Sequence, residues 1–286
     1  MDDIGQSGGT VTRHRYGSDE SQYGELYLPT AGRRPGTVVV IHGGFWKAQY
    51  GADLGAPLAA DLAARGWAAW NLEYRRIGNG GDWPNTLADV AAGIDLLADL
   101  AGDLAGADGL AGTGGAGGAD DLAGAGGPAL DLDRVVAIGH SAGGHLATWA
   151  ATRPGLPDGA VGSAPKVRLT GVIAQAAVLD LIQAAADGLG GPALPALLGG
   201  RPDEAPEHYR LASPRHRLPL GVPVRCLHAR DDDTVPFSQS VDYVRAARAA
   251  GDDASVVEVT GGHFGVIDPA APAWQAALEL LPGQLA

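Results

Sequence analysis

Seven short apolar runs, separated by stretches of helical period, constrain this chain more than any other feature. The runs at 25–28, 37–41, 68–72, 134–138, 172–176, 224–228 and 255–259 read as strands, several of them almost unbroken in Val, Ile and Ala, as in TVVVI and RVVAI. Strands that are apolar at successive positions are buried on both faces, the condition of a parallel sheet covered by helices. DLGAPLAADLAARG, PNTLADVAAGIDLLADL, SAGGHLATWAA, SVDYVRAARAAG and PAAPAWQAALELL lie between or after them and supply the covering helices. The alternation over 286 residues predicts a single α/β domain, 1–286, with a mainly parallel central sheet flanked by helices.

Two regions break the rhythm. Residues 102–127 are almost wholly Gly, Ala, Asp and Leu, a composition that buries too little apolar surface to offset chain ordering, so a mobile surface insertion is expected. The proline-bearing region 188–217 is expected to form a small cap segment over the site.

Lys and Arg number 20 against 33 Asp and Glu, a net charge of −13, which argues against a nucleic-acid partner or an anionic membrane surface. Cys226 has no mate within the chain, so an internal disulfide is excluded. The first residues, MDDIGQSGG, lack the basic and apolar regions of a secretory signal, and no apolar run is long enough to span a bilayer. A soluble cytoplasmic protein with a small-molecule partner is expected, and homo-oligomerisation is left open.

The chemistry gathers at AIGHSAGGHLATWAA. Gly139-His140-Ser141-Ala142-Gly143 fits G-x-S-x-G, with a predicted strand before it and a helix after it. Flanking glycines relieve the crowding of so sharp a turn, so the Ser141 hydroxyl projects from the sheet edge beside a positively polarised helix end. A serine hydroxyl is a weak nucleophile and needs a base, which in turn needs an orienting acid. His263, in VTGGHFG, is the candidate base, because it follows its own predicted strand and comes last in the order Ser, Asp, His. His14, His140, His145, His208 and His216 lack one or both of these features, and His228 reads as a turn residue. The acid lies in LHARDDDTVP, which offers Asp231, Asp232 and Asp233.

Immediately after TVVVI stands His42-Gly43-Gly44-Phe45-Trp46. A glycine pair lets backbone amides approach a tetrahedral oxyanion, and the expected donors are those of Gly44, Phe45 and Ala142. His42 is expected to brace the loop. Trp46 and Trp83 are the candidate pocket walls, while Glu73, Arg75 and Arg76 in NLEYRR read as a surface ion network. There is no H-E-x-x-H, no paired Cys/His spacing and no G-x-G-x-x-G, so neither a metal nor another cofactor is expected.

With these motifs the chain resembles the α/β-hydrolase superfamily of serine esterases from about Tyr23 to Leu281, outside the low-complexity segment. HGGFW looks like the HGGxW signature of the branch that contains carboxylesterases and kynurenine formamidase (arylformamidase). LHARDDDTVPFSQS is similar to the acid loop there and in prolyl-oligopeptidase-like hydrolases, with Ala229 in place of the usual glycine. In those relatives the acid stands four residues after the strand-end histidine, so the resemblance selects Asp232. It implies hydrolysis of a small carboxylic ester through an acyl-enzyme, or of an N-formyl arylamide by the same atoms. A ligand-binding protein without turnover and an acyltransferase are the other readings.

Overall fold

The computed structural model describes residues 9–30, 32–111 and 130–285. In chain order they form β1 (Gly9–Arg15), β2 (Tyr23–Pro29), β3 (Thr37–Ile41), α1 (Ala56–Ala64), β4 (Ala68–Leu72), α2 (Asn85–Ala111), β5 (Val135–His140) and α3 (Ala142–Thr152). There follow β6 (Gly171–Gln175), α4 (Leu181–Ala186), α5 (Ala193–Leu198), α6 (Pro206–Ala212), β7 (Val224–Ala229), α7 (Ser238–Ala249), β8 (Ala254–Val259) and α8 (Pro272–Gln284). All eight strands join one sheet in the order β1-β2-β4-β3-β5-β6-β7-β8. Only the β1–β2 and β2–β4 pairings are antiparallel.

The apolar runs behave as two interleaved faces, because successive strand side chains point to opposite sides of a sheet. Val39, Ile41, Ala137, Val172, Ala174 and Cys226 join the core under α2, α3 and α7. Val38, Val40, Val136, Ile138, Ile173 and Leu227 face the other way, against α1 and α8. A continuous stretch such as TVVVI thus fills two layers at once, and every residue of β3, β4, β5 and β6 is buried.

The sheet places the site through its strand order. From β3 the chain crosses to β4 on one side and then returns to β5 on the other, so the loops after β3 and β5 diverge. Ligand crevices in open parallel sheets form at the carboxyl ends of strands at such a reversal. The HGGFW loop follows β3, and Ser141 follows β5.

Two expectations change. Strand β1 was not anticipated, because GTVTRHR is polar and Val11 is its one buried hydrophobic residue; it pairs along the sheet edge, where one face stays wet. Helix α2 runs through Ala111, so the first ten residues of the 102–127 segment continue a helix rather than begin an insertion. Ala and Leu are strong helix formers and carry the helix past Gly102. The rest of that segment, 112–127, lies outside the described residues. Among the described residues no helix is long and apolar enough to cross a membrane.

Candidate active site

Ser141 sits between the last residue of β5 and the first of α3 with φ 54° and ψ −117°, a left-handed conformation unusual for a residue with a side chain. The surrounding contacts force it. A Cβ on Gly139 would lie 2.2 Å from the Gly143 carbonyl oxygen, and a Cβ on Gly143 would lie 2.1 Å from that of Ile41. Neither position has room for any side chain. The Ser141 amide donates to the Gln175 carbonyl at 2.8 Å, which ties the turn to β6.

The loop after β3 is strained in the same sense. Gly44, Phe45 and Trp46 have φ values of 108°, 49° and 56°. Two successive non-glycine residues in this region cost on the order of 1–3 kcal/mol each and persist only where the surroundings fix them. Here the fixing groups are buried and polar. His42 stacks on Tyr74 at 4.5 Å, its Nε2 lies 3.1 Å from Glu73 Oε1, and its Nδ1 lies 2.9 Å from the Gly43 carbonyl. Glu73 Oε2 accepts the Ala52 amide at 2.8 Å, while Arg76 pairs with Glu73 Oε1 at 3.1 Å. Burial alone would raise the Glu73 carboxyl, but its hydrogen bond with His42 and the nearby charges hold it below the usual carboxylate range. NLEYRR therefore does not form a surface ion network: Glu73 and Arg76 are buried under the loop, and Arg75 grips Asp89 through two bonds of 2.7 and 2.8 Å.

The candidate acid and base meet at the far side of β5. Asp232 Oδ2 accepts from His263 Nδ1 at 2.8 Å, and its Oδ1 takes the amides of Thr234 and Val235, each at 2.8 Å. Of the three aspartates the sequence offered, only Asp232 is folded inward; Asp231 and Asp233 are exposed. Its burial works against ionisation, yet the donors from His228, His263 and the two amides outweigh it and keep the carboxyl well below its ordinary range. Proton donation from Nδ1 leaves His263 Nε2 with its lone pair.

His140 holds the His263 loop against the elbow. Its Nε2 donates to the His263 carbonyl at 2.9 Å, and the two rings lie 4.6 Å apart. Burial, with His263 alongside, pushes the His140 imidazole down to about 3, so this clamp is neutral. Gln175 adds a second tie, from Nε2 to the Val266 carbonyl at 2.6 Å. Among the described residues Ser141 Oγ makes no hydrogen bond to His263, a contact that often tightens only when substrate is bound.

The candidate pocket residues separate. Trp46 is 1% exposed and donates from Nε1 to His145 Nδ1 at 3.2 Å, so it lies beneath the loop and is no pocket wall. Its left-handed backbone turns the indole inward, which HGGFW alone does not reveal. Trp83 is half-buried and stacks on His208 of α6 at 4.4 Å. Phe45 lies against Gly190, so the 188–217 region meets the HGGFW loop. Sequence reasoning missed three participants: His228, which bonds Asp232; Gln175; and Phe264, 65% exposed with its ring 5.0 Å from that of His263. Two of them carried a usable signal: Phe264 as an aromatic residue next to the candidate base, and His228 as the strand-end histidine four residues before Asp232. Cys226 is buried, and burial pushes its thiol up to about 12, so it does not compete as a nucleophile. Among the described residues no group of three or more His, Cys, Asp or Glu side chains is spaced to hold a metal ion.

A family model described as BD-FAE, an α/β-hydrolase-type esterase family, matches residues 122–246, less than half of the chain. Among curated proteins no sequence matches. Solved structures do. A truncated carbohydrate esterase from gut microbiota superposes with a TM-score of 0.74 at 20% identity, covering 99% of each chain. A thermophilic esterase of Thermogutta terrifontis with propionate bound gives 0.69 at 23% identity, covering 97% of this chain and 93% of that one. Esterase B of Lactobacillus rhamnosis gives 0.73 at 20% identity, with coverages of 96% and 85%. At these identities the likeness concerns the fold, and the fold is that of the α/β-hydrolases.

Proposed function

We propose that this chain, an α/β-hydrolase by its fold, is a serine esterase that cleaves small carboxylic esters through an acyl-enzyme. The observation that carries the reading is the 2.8 Å bond between Asp232 Oδ2 and His263 Nδ1, on a loop that His140 fastens beside Ser141. With Nδ1–H committed to the carboxylate, His263 Nε2 is the atom that takes the Ser141 proton as Oγ attacks the acyl carbon. The oxyanion then meets the amides of Gly44, Phe45 and Ala142, none of which has a backbone carbonyl partner among the described residues. Each such donor contributes on the order of 3 kcal/mol to lowering the barrier. Asp232 stabilises the imidazolium, which returns its proton to the departing alcohol. Water, activated by the same nitrogen, releases the acid.

The esterases among the structural neighbours and the matched family support a carboxylic ester as the bond broken. Phe264 beside His263 and Phe45 next to the proposed donor amides are apolar side chains suited to a small acyl group, and Trp83 stacks on His208 of the 188–217 segment.

Wild type and Ser141→Ala assayed together on p-nitrophenyl acetate, p-nitrophenyl butyrate and N-formylkynurenine test the proposal. The expected result is turnover of the two esters by wild type and a loss of about 10⁴-fold or more in the variant. Equal rates in the two proteins would remove Ser141 from the chemistry. Preference for N-formylkynurenine would assign a formamidase to the same atoms.

A further inference from the structure

Asp232 Oδ2 serves two imidazoles. Besides His263 Nδ1 at 2.8 Å, it lies 3.1 Å from His228 Nε2, which also faces the Val235 carbonyl at 3.0 Å. Two acceptors at Nε2 place the ring proton there, so His228 donates to the carboxylate. The other nitrogen, Nδ1, lies 2.8 Å from Ser240 Oγ on α7. The His228 side chain is fully buried on β7, and the Asp232 side chain is fully buried beside it. A buried polar ring anchored at both nitrogens has one orientation, and that orientation aims a donor at the oxygen His263 also uses.

We infer that His228 is a positioning residue that sets the basicity of His263 by sharing Asp232 Oδ2 with it. Two N–H donors on one oxygen divide its lone pairs and charge, so each weakens the other. His228 fixes the carboxylate beside Oδ1 and its two amides, and it moderates the pull that would otherwise make His263 too ready to stay protonated. A base is most useful when its pKa lies near the working pH. The other ionisable groups around the pair leave this role to His228. His140, from β5, touches His263 through its carbonyl and is neutral; Asp231 and Asp233 are exposed; and Arg230 is turned to Glu258 at 2.8 Å.

The inference rests on His263 being the base, but its test does not need a substrate. The readout is the NMR titration of the His263 ring, assigned by its loss in His263→Gln. His228→Leu removes both anchors. His228→Asn keeps a group within reach of Ser240 but too short for Asp232, whereas His228→Gln carries an amide to the position of Nε2. Leu and Asn are expected to raise the His263 midpoint by about half a pH unit, a roughly threefold gain in proton affinity, and Gln to return it to the wild-type value. The acid limb of the ester pH–rate profile should move with it. Should the Leu variant not fold, the Asn variant carries the test. A folded Asn variant with an unmoved or lowered midpoint would overturn the inference, since a merely structural histidine alters the yield of native protein and not the titration of its neighbour. Absence of ester turnover in wild type would instead count against the proposed function and leave the titration result standing.

Discussion

The two halves of the site are built from different materials. Around Ser141, the elbow is held by the backbone itself, through a left-handed φ value and glycines whose Cβ positions are already occupied by backbone atoms. Around Asp232, by contrast, His263, His228 and His140 are held by side-chain hydrogen bonds between separate strands and loops. Backbone strain presents an atom at one angle and tolerates no added carbon. A side-chain network tolerates changes of shape but responds to every change in donors and charge.

This contrast predicts how each half fails. Asp232→Asn should retain the fold and lose about 10³–10⁴-fold in kcat, because an amide can present its N–H to His263 and favour the wrong tautomer. Circular dichroism beside the ester assay checks both parts. Gly143→Ala should fail through structure, with a loss of about 3 kcal/mol or more in a urea titration, since a methyl would have to displace the Ile41 carbonyl 2.1 Å away. If this variant were as stable as wild type, the elbow would not be held by steric exclusion.

The buried histidines give an effect of intermediate size. Burial pushes His145 down to about 4, and His140 to about 3. Below pH 6.5 the unfolded chain takes up protons at both positions that the native state refuses, so stability falls with pH by about 1.4 kcal/mol per unit for each ring. His145→Gln should remove one such proton and so roughly halve the contribution of this pair to the slope between pH 6 and pH 4.5. Urea midpoints at three pH values would show it, and an unchanged slope would mean that His145 protonates in the folded state. The smallest effect is expected at Arg230, exposed and paired with exposed Glu258. Arg230→Gln should change stability by less than about 0.5 kcal/mol and leave the rate near wild type, although it stands two residues from Asp232.

Legibility followed the same division. Seven of the strands and the G-x-S-x-G turn were readable because each is set by neighbours in sequence: β-branched runs, flanking glycines, the helix start. HGGFW was legible as a glycine turn, yet the burial of Trp46 against His145 was not, because that contact joins residues 99 positions apart. NLEYRR reads as solvated charge until the loop after β3 folds over Glu73 and His42 finds it. Strand β1 escaped because an edge strand with one wet face needs no apolar run.

By itself the sequence determined seven of the eight strands, the elbow at Ser141 and the chain order of the candidate nucleophile, acid and base. All three depend on local patterns of apolar, glycine and turn residues, and the order carries into the fold unchanged. Among DDD its residues left three candidates, with only family resemblance to choose between them. Tertiary structure decided which carboxylate turns inward, that two histidines share it, and which tryptophan lies beneath the HGGFW loop. Those outcomes hang on hydrogen bonds and packing between strands far apart in the chain, where spacing along the sequence carries no information about distance.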